Sequence, residues 1–131
     1  MTDPASIRAL IVDDSPSMRT IERDVLEQMG VVHIDEARDG FDALGKLADF
    51  EPDLLLIDWR MPNMDGPTFC ERFRATGRDA AIIIVTTEAE RSLVPHAVRA
   101  RVSAHVVKPF TPDVLHQRVS ETLATCPEAS P

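Results

Sequence analysis

Cysteine is scarce in this chain of 131 residues: only Cys70 and Cys126 occur, too few for a disulfide framework and too isolated for a zinc site. A reducing, cytoplasmic compartment is therefore expected. Positive charge is also in deficit, with 14 Lys and Arg against 22 Asp and Glu and a net charge of −8. That balance argues against a nucleic-acid-binding surface, which needs clustered cations to displace counterions. Long apolar runs are missing, and none approaches the ~20 residues needed to span a bilayer. The opening Met1-Thr2-Asp3-Pro4 has neither the basic flank nor the apolar core of a secretory signal. What is present suits one packed domain over residues 1–131: 44% of residues are hydrophobic and 27% charged.

Short apolar runs alternate with longer amphipathic stretches. Arg8 to Val12, Asp53 to Ile57 and Ala81 to Val85 are dense in branched aliphatics and end abruptly at polar residues. That is the pattern of strands buried on both faces, as in a parallel sheet. Val31 to Ile34 and His105 to Val107 are weaker candidates for two more strands. Between them lie helices with recognisable ends. Ser15 can cap and Pro16 fits the first helical position, after which Met18, Ile21, Val25 and Met29 form an apolar stripe closed by Gly30. Phe41, Leu44 and Leu47 mark a second helix; Gly66-Pro67 opens a third, with Phe69 and Phe73 on one face and Gly77 at its end. Leu93, Ala97 and Val98 suggest a fourth. Thr111-Pro112-Asp113 starts a last helix carrying Leu115, Val119 and Leu123, and a short tail runs from Thr125 to Pro131. Five βα units of this size predict an α/β fold, a doubly wound five-stranded parallel sheet with five helices on its two faces.

In such sheets ligands bind beyond the carboxyl ends of the strands. The first run ends in Asp13-Asp14, the third in Asp58, the fourth in Thr86-Thr87 and the fifth in Lys108-Pro109. Any single Asp here is read as a helix cap or a solvated turn, but the whole set at one sheet edge is not. Three clustered carboxylates repel and call for a cation. Oxygen-only ligands favour a hard ion, and Mg²⁺ suits a few carboxylates completed by waters and a phosphate oxygen. Lys108 and the Thr86 hydroxyl are natural partners for phosphoryl oxygens, and a carboxylate can attack phosphorus in line to give an acyl phosphate.

At this point the chain resembles the receiver domains of two-component response regulators, chemotaxis CheY-type proteins in particular. The resemblance covers roughly residues 7–124. It rests on Val12-Asp13-Asp14-Ser15, on the run Asp58-Trp59-Arg60-Met61-Pro62-Asn63-Met64-Asp65-Gly66, on Val85-Thr86, and on Val106-Val107-Lys108-Pro109-Phe110. It implies a flavodoxin-like sheet of strand order 2-1-3-4-5, the order for which CheY is a standing example. It implies Asp58 as phospho-acceptor, and Asp13 and Asp14 as the acid pair holding Mg²⁺. The resemblance further implies that Asp58 and the backbone carbonyl of Arg60 complete the metal site. By the same resemblance Thr86 is the switch hydroxyl, Lys108 pairs with the phosphoryl group, and Lys108–Pro109 is cis. The implied protein is a stand-alone switch, phosphorylated by a histidine kinase, with self-phosphorylation and autodephosphorylation as its only enzyme-like activity. Its output would be contact with another protein, a flagellar motor switch being the best guess, with a phosphatase as a further partner. It would be monomeric, with no nucleic acid and no membrane insertion. A phosphorelay shuttle or phosphate sink would use the same residues.

The chain also departs from the family. His105 stands where Tyr or Phe is usual, and the chain has no Tyr. Two readings remain: a smaller switch side chain titrating near ~6.5, or a planar ring filling the same slot. Thr87 replaces the usual small residue beside the acceptor, where its methyl narrows access to the site or is surface variation. Pro95 is expected to push the start of the fourth helix to Leu93 or Val94, lengthening the loop after Thr87, and Arg101 to alter that helix's end. These changes fall on the face the family uses for output. Trp59 is read as a partly exposed ring beside the site, and Arg60 and Glu88 as a pair flanking it.

Other classes fit less well. A haloacid-dehalogenase-type phosphatase needs Asp-x-Asp, whereas Asp13 and Asp14 are adjacent. A flavin module would need more glycines and hydroxyls than Asp14-Ser15-Pro16-Ser17 offers. A degenerate scaffold should have lost site residues, and all are present.

Overall fold

The computed structural model describes residues 3–91 and 102–125. After a 3₁₀ turn at Pro4–Ser6 the elements run β1 (Arg8–Val12), α1 (Pro16–Gln28), β2 (His33–Ala37), α2 (Gly40–Lys46), β3 (Leu54–Asp58), α3 (Gly66–Ala75), β4 (Ala81–Thr87), a single helical turn α4 (Glu88–Arg91), β5 (Ala104–Lys108) and α5 (Pro112–Thr125). The five strands are parallel, in the order β2-β1-β3-β4-β5. Four helices and one helical turn thus stand where five helices were expected, among the described residues. Leu93, Val94, Pro95, Ala97, Val98, Arg101 and Cys126 lie outside them.

Alternate residues of the central strands feed two cores. Leu10, Val12, Leu55, Ile57, Ile82 and Ile84 pack against α2 and α3 through Ala43, Leu47, Phe69 and Phe73. Ile11, Leu54, Leu56, Ile83 and Val85 pack against α1 and α5 through Val25, Leu26, Leu115, Val119 and Leu123. Burying each such side chain contributes about 1.5–3 kcal/mol before chain entropy is counted, so the middle of the sheet is the rigid platform. Caps fix where the helices begin. Ser15 Oγ accepts from Met18 N, Asp39 Oδ1 from Asp42 N, Asp65 Oδ1 from Thr68 N and Thr111 Oγ1 from Val114 N.

Two expectations need correcting, the bounds of the second strand and the buried faces of α1 and α2. The second strand is His33–Ala37 rather than Val31–Ile34; Val31 is buried ahead of it and Val32 is exposed. It lies at the sheet edge, where one side meets solvent and polar residues are tolerated. On α1 the buried face is Glu22, Val25 and Leu26, while Ile21 points outward; on α2, Phe41 is exposed and Ala43 is buried. A helical turn begins at Glu88, directly after Thr87, whereas the expected start of the fourth helix at Leu93 or Val94 lies outside the described residues.

Candidate functional site

The strand register brings the carboxyl ends of β1, β3, β4 and β5 to one edge. Val12 lies opposite Ile57, Asp58 opposite Val85, and Thr87 opposite Lys108. The next residue of β1's chain, Asp13, is tied down at once. Its N–H donates to Ala37 O at 3.0 Å, its Oδ1 accepts from Ser15 N at 2.8 Å, and its carbonyl accepts from Arg19 Nη1 at 2.6 Å. Asp13 and Asp58 are buried, while Asp14 is exposed. Each offers an oxygen, and these oxygens lie within 4.8 Å of one another.

Lys108 reaches this cluster from β5, its Nζ donating to Asp58 Oδ1 at 2.9 Å. The energetics fit an acid cluster short of positive charge. Burial pushes the Asp13 carboxyl up to about 6; the Ser15 N–H works against that, and the Asp58 charge adds to it. Burial also raises Asp58, and the hydrogen bond and charge of Lys108 offset only part of the rise. Burial works against the Lys108 ammonium, but its bond to Asp58 and the charges of Asp58, Asp13 and Glu22 outweigh burial and raise it. Asp13 Oδ2 is buried and has no hydrogen-bond partner. A buried carboxylate oxygen without a donor, beside two more acids, is a cluster that could hold a metal ion.

The chain leaves β3 through a shaped loop. Trp59 N donates to Val85 O at 2.9 Å and Gly66 N to Trp59 O at 2.9 Å, while Met61 and Met64 are buried beneath it. Gly66 is required by close approach, since a Cβ there would lie 2.8 Å from Asp58 O and 3.1 Å from Trp59 Cα. Asn63 takes a left-handed φ of 71°, a conformation its side chain tolerates better than most. The outcome is an open cleft of about 570 Å³ beside the acids, lined by Asp14, Trp59, Arg60, Met61, Pro62 and Asp65. Trp59 is half-buried against the α2/α3 core, as expected of it, and Lys108–Pro109 is cis.

Thr86 is fully buried, with its hydroxyl donating toward Glu90 Oε1 at 3.3 Å and Thr87 O at 3.2 Å. Thr87 is an N-cap: its Oγ1 accepts from Glu90 N at 3.2 Å, and Glu90 Oε1 accepts from Thr87 N at 3.0 Å, a reciprocal capping box. The Arg60 guanidinium pairs with Glu90; the side chain of Glu88, its expected partner, lies outside what the structure describes. His105 is half-buried in β5, opposite Ile84.

Two residues of this region escaped the sequence reading. Glu22 is buried on α1, and the neighbouring charges of Asp13, Asp58 and Lys108 act on it. Its signal was its place in the stripe, three and four residues before Val25 and Leu26. Glu90 was legible as the fourth residue of Thr87-Glu88-Ala89-Glu90, the capping-box spacing.

Residues 9–120 match the family described as the response regulator receiver domain. The chain is 38% identical over 122 residues to chemotaxis protein CheY1 of Helicobacter pylori, covering 91% of this chain and 98% of that one. It is also 38% identical over 122 residues to the chemotaxis protein CheY homolog of Campylobacter jejuni, covering 91% and 94%. Among solved structures, chemotaxis response regulator CheY4 of Vibrio cholerae superposes with a TM-score of 0.79 at 29% identity, over 88% of this chain and 98% of that one.

Proposed function

Because the chain belongs to the response regulator receiver domain family, we propose that it is a two-component response regulator of the chemotaxis type, switched by phosphorylation of Asp58. The observation that carries this reading is the Lys108 ammonium 2.9 Å from Asp58 Oδ1, beside carboxylates whose oxygens lie within 4.8 Å of one another. In the transfer an Asp58 oxygen attacks phosphorus, the phosphorus–nitrogen bond of a kinase phosphohistidine breaks, and its electron pair returns to the imidazole. Lys108 loses Asp58 Oδ1 as acceptor and turns its N–H groups to the phosphoryl oxygens. The Thr86 hydroxyl supplies a further donor. Asp13, Asp14, Asp58 and the Arg60 carbonyl would hold Mg²⁺, whose charge offsets that building up on the transferring oxygens.

Self-phosphorylation and autodephosphorylation are the only activities assigned to the chain, as a receiver over about residues 7–124. The phospho-donor is a histidine kinase, and the output is contact with another protein through the face of α4, β5 and α5. His105 and Thr87 lie beside that face, and a flagellar motor switch is the target of choice. The reading takes the protein as cytoplasmic and monomeric. No helix among the described residues is long and apolar enough to cross a membrane.

Trp59 is the single Trp and lines the cleft, so its fluorescence reports the site. Mg²⁺ is expected to quench it, and acetyl phosphate or beryllofluoride to change it again. Asp58→Asn is expected to abolish the second response. An Asp58→Asn variant that still responds, or a wild-type protein that gains no phosphate mass from acetyl phosphate, overturns the assignment.

A further inference from the structure

One carboxylate joins three parts of the site. Glu90 is buried; its Oε1 receives the Thr86 hydroxyl at 3.3 Å and the Thr87 N–H at 3.0 Å, and its Oε2 pairs with the Arg60 guanidinium. Arg60 comes from the loop after Asp58, and apart from this pair its side chain is 82% exposed. The residue therefore ties the end of β4, the first turn of α4 and the β3 loop to one point.

A hydroxyl has one proton to donate. The Thr86 proton is shared here between Glu90 Oε1 at 3.3 Å and Thr87 O at 3.2 Å, and it must leave both to reach an oxygen on Asp58. Arg60 faces the same choice, since a doubly charged phosphoryl group on the neighbouring Asp58 competes for its guanidinium. Resting on the reading of Asp58 as phospho-acceptor, we propose that Glu90 is a positioning residue, a latch that holds the Thr86 hydroxyl in the unphosphorylated arrangement and is released when Arg60 and Thr86 turn to the phosphoryl group. Glu90 acts through Thr86 and does not touch the reacting atoms. It sets the position of the switching equilibrium, because whatever strengthens its hold on Thr86 must be overcome by phosphorylation.

The test titrates beryllofluoride in the presence of Mg²⁺ and follows Trp59 fluorescence. Glu90→Gln keeps an amide oxygen to cap Thr87 N but loses the charge that binds Arg60 and strengthens the Thr86 bond. Its midpoint is expected to fall about 3–10-fold below wild type, the loss of one charge-assisted bond in exchange for a neutral one. Glu90→Asp, one methylene shorter, withdraws the oxygen from Thr86 while keeping the charge, and is expected to shift in the same direction. In a Thr86→Ala background Glu90→Gln is expected to shift the midpoint by clearly less than in wild type, because the latched hydroxyl is gone and only the Arg60 pair is released. A purely structural role in capping α4 would alter thermal stability without this dependence on Thr86. Midpoints for both Glu90 variants within twofold of wild type, or the same shift with Thr86→Ala, overturn the latch. A wild-type protein that gives no beryllofluoride response overturns the reading of Asp58 itself, and the latch with it.

Discussion

Replacing Glu22 with Leu probes the most costly residue in the α1 core. Glu22 is only 1% exposed, on a face it shares with Val25 and Leu26, and its Oε1 has no hydrogen-bond partner. Burial drives its carboxyl well above the usual 4.5, and the charges of Asp13 and Asp58 push the same way while Lys108 opposes them. The folded protein therefore holds a proton on Glu22 that the unfolded chain releases near its ordinary value. Between those two values the folded state binds more protons, so the Glu22 contribution to stability declines as pH rises above about 4.5. Leu has similar volume and no polar atom to strand. Removing an unsatisfied buried polar group in this way is expected to stabilise by about 1–3 kcal/mol at pH 7. For a domain of this length that corresponds to a rise of roughly 4–11 °C in Tm. Glu22→Gln keeps the shape and an unpartnered amide, so it gains less, but it too removes the titration. Urea and thermal melts from pH 4.5 to 8 should show the gap between wild type and either variant widening with pH. A Leu variant less stable than wild type, or a gap that does not change with pH, would refute the account of Glu22 as an unpartnered neutral acid.

Three further outcomes follow from the same geometry. Asp13 titrates at about 6 in the absence of metal and must be ionised to serve as a ligand, so Mg²⁺ affinity, read by Trp59 quenching, should fall below that pH by a factor approaching ten per unit. At 100 times its dissociation constant Mg²⁺ should add about 2.7 kcal/mol to stability, and Asp13→Asn should abolish most of that gain. Gly66→Ala puts a methyl 2.8 Å from the Asp58 carbonyl, so the loop must shift; a loss of about 1–3 kcal/mol in urea melts is expected, together with a weakened Trp59 response to Mg²⁺. Burial raises the Cys70 thiol to about 12, so with Cys126 replaced by Ser the folded protein should resist Ellman's reagent and react only on unfolding.

The central strands were legible because both of their faces are buried. Leu54 to Ile57 and Ile82 to Val85 have no solvent side on which a polar residue would interrupt the run. The same logic fails at the edge, where His33, Ile34, Asp35 and Glu36 are only partly covered or exposed, and the apolar pair Val31-Val32 drew the strand forward. It fails again on α1, because hydropathy puts Ile21 inside and Glu22 outside, whereas packing against the sheet does the reverse. Asp13, Asp14, Asp58 and Lys108 were found because strand ends in a parallel sheet converge whatever the side chains are. With the helical turn beginning at Glu88, Glu90 becomes its third residue and faces back toward the cap.

What the strand-end pattern cannot carry is the charge state of the site. It places three acids and one ammonium together, but which acids hold a proton depends on how deeply each is buried, and that is decided by helices. Asp14 and Asp13 are the same residue type in the same motif, yet Asp14 is exposed on the rim and Asp13 is buried, and that burial pushes Asp13 up to about 6. Glu90 on α4 raises the electrostatic cost of ionising Asp58, while Glu22 on α1 answers its burial and the charges of Asp13 and Asp58 by keeping its own proton. The set of oxygens is therefore a property of the motif, while its readiness to take up a cation at a given pH is set by burial and by a helical charge outside the motif. Exchanging Glu90 for Gln should ease ionisation of Asp58 and so raise cation affinity while leaving the cluster itself intact.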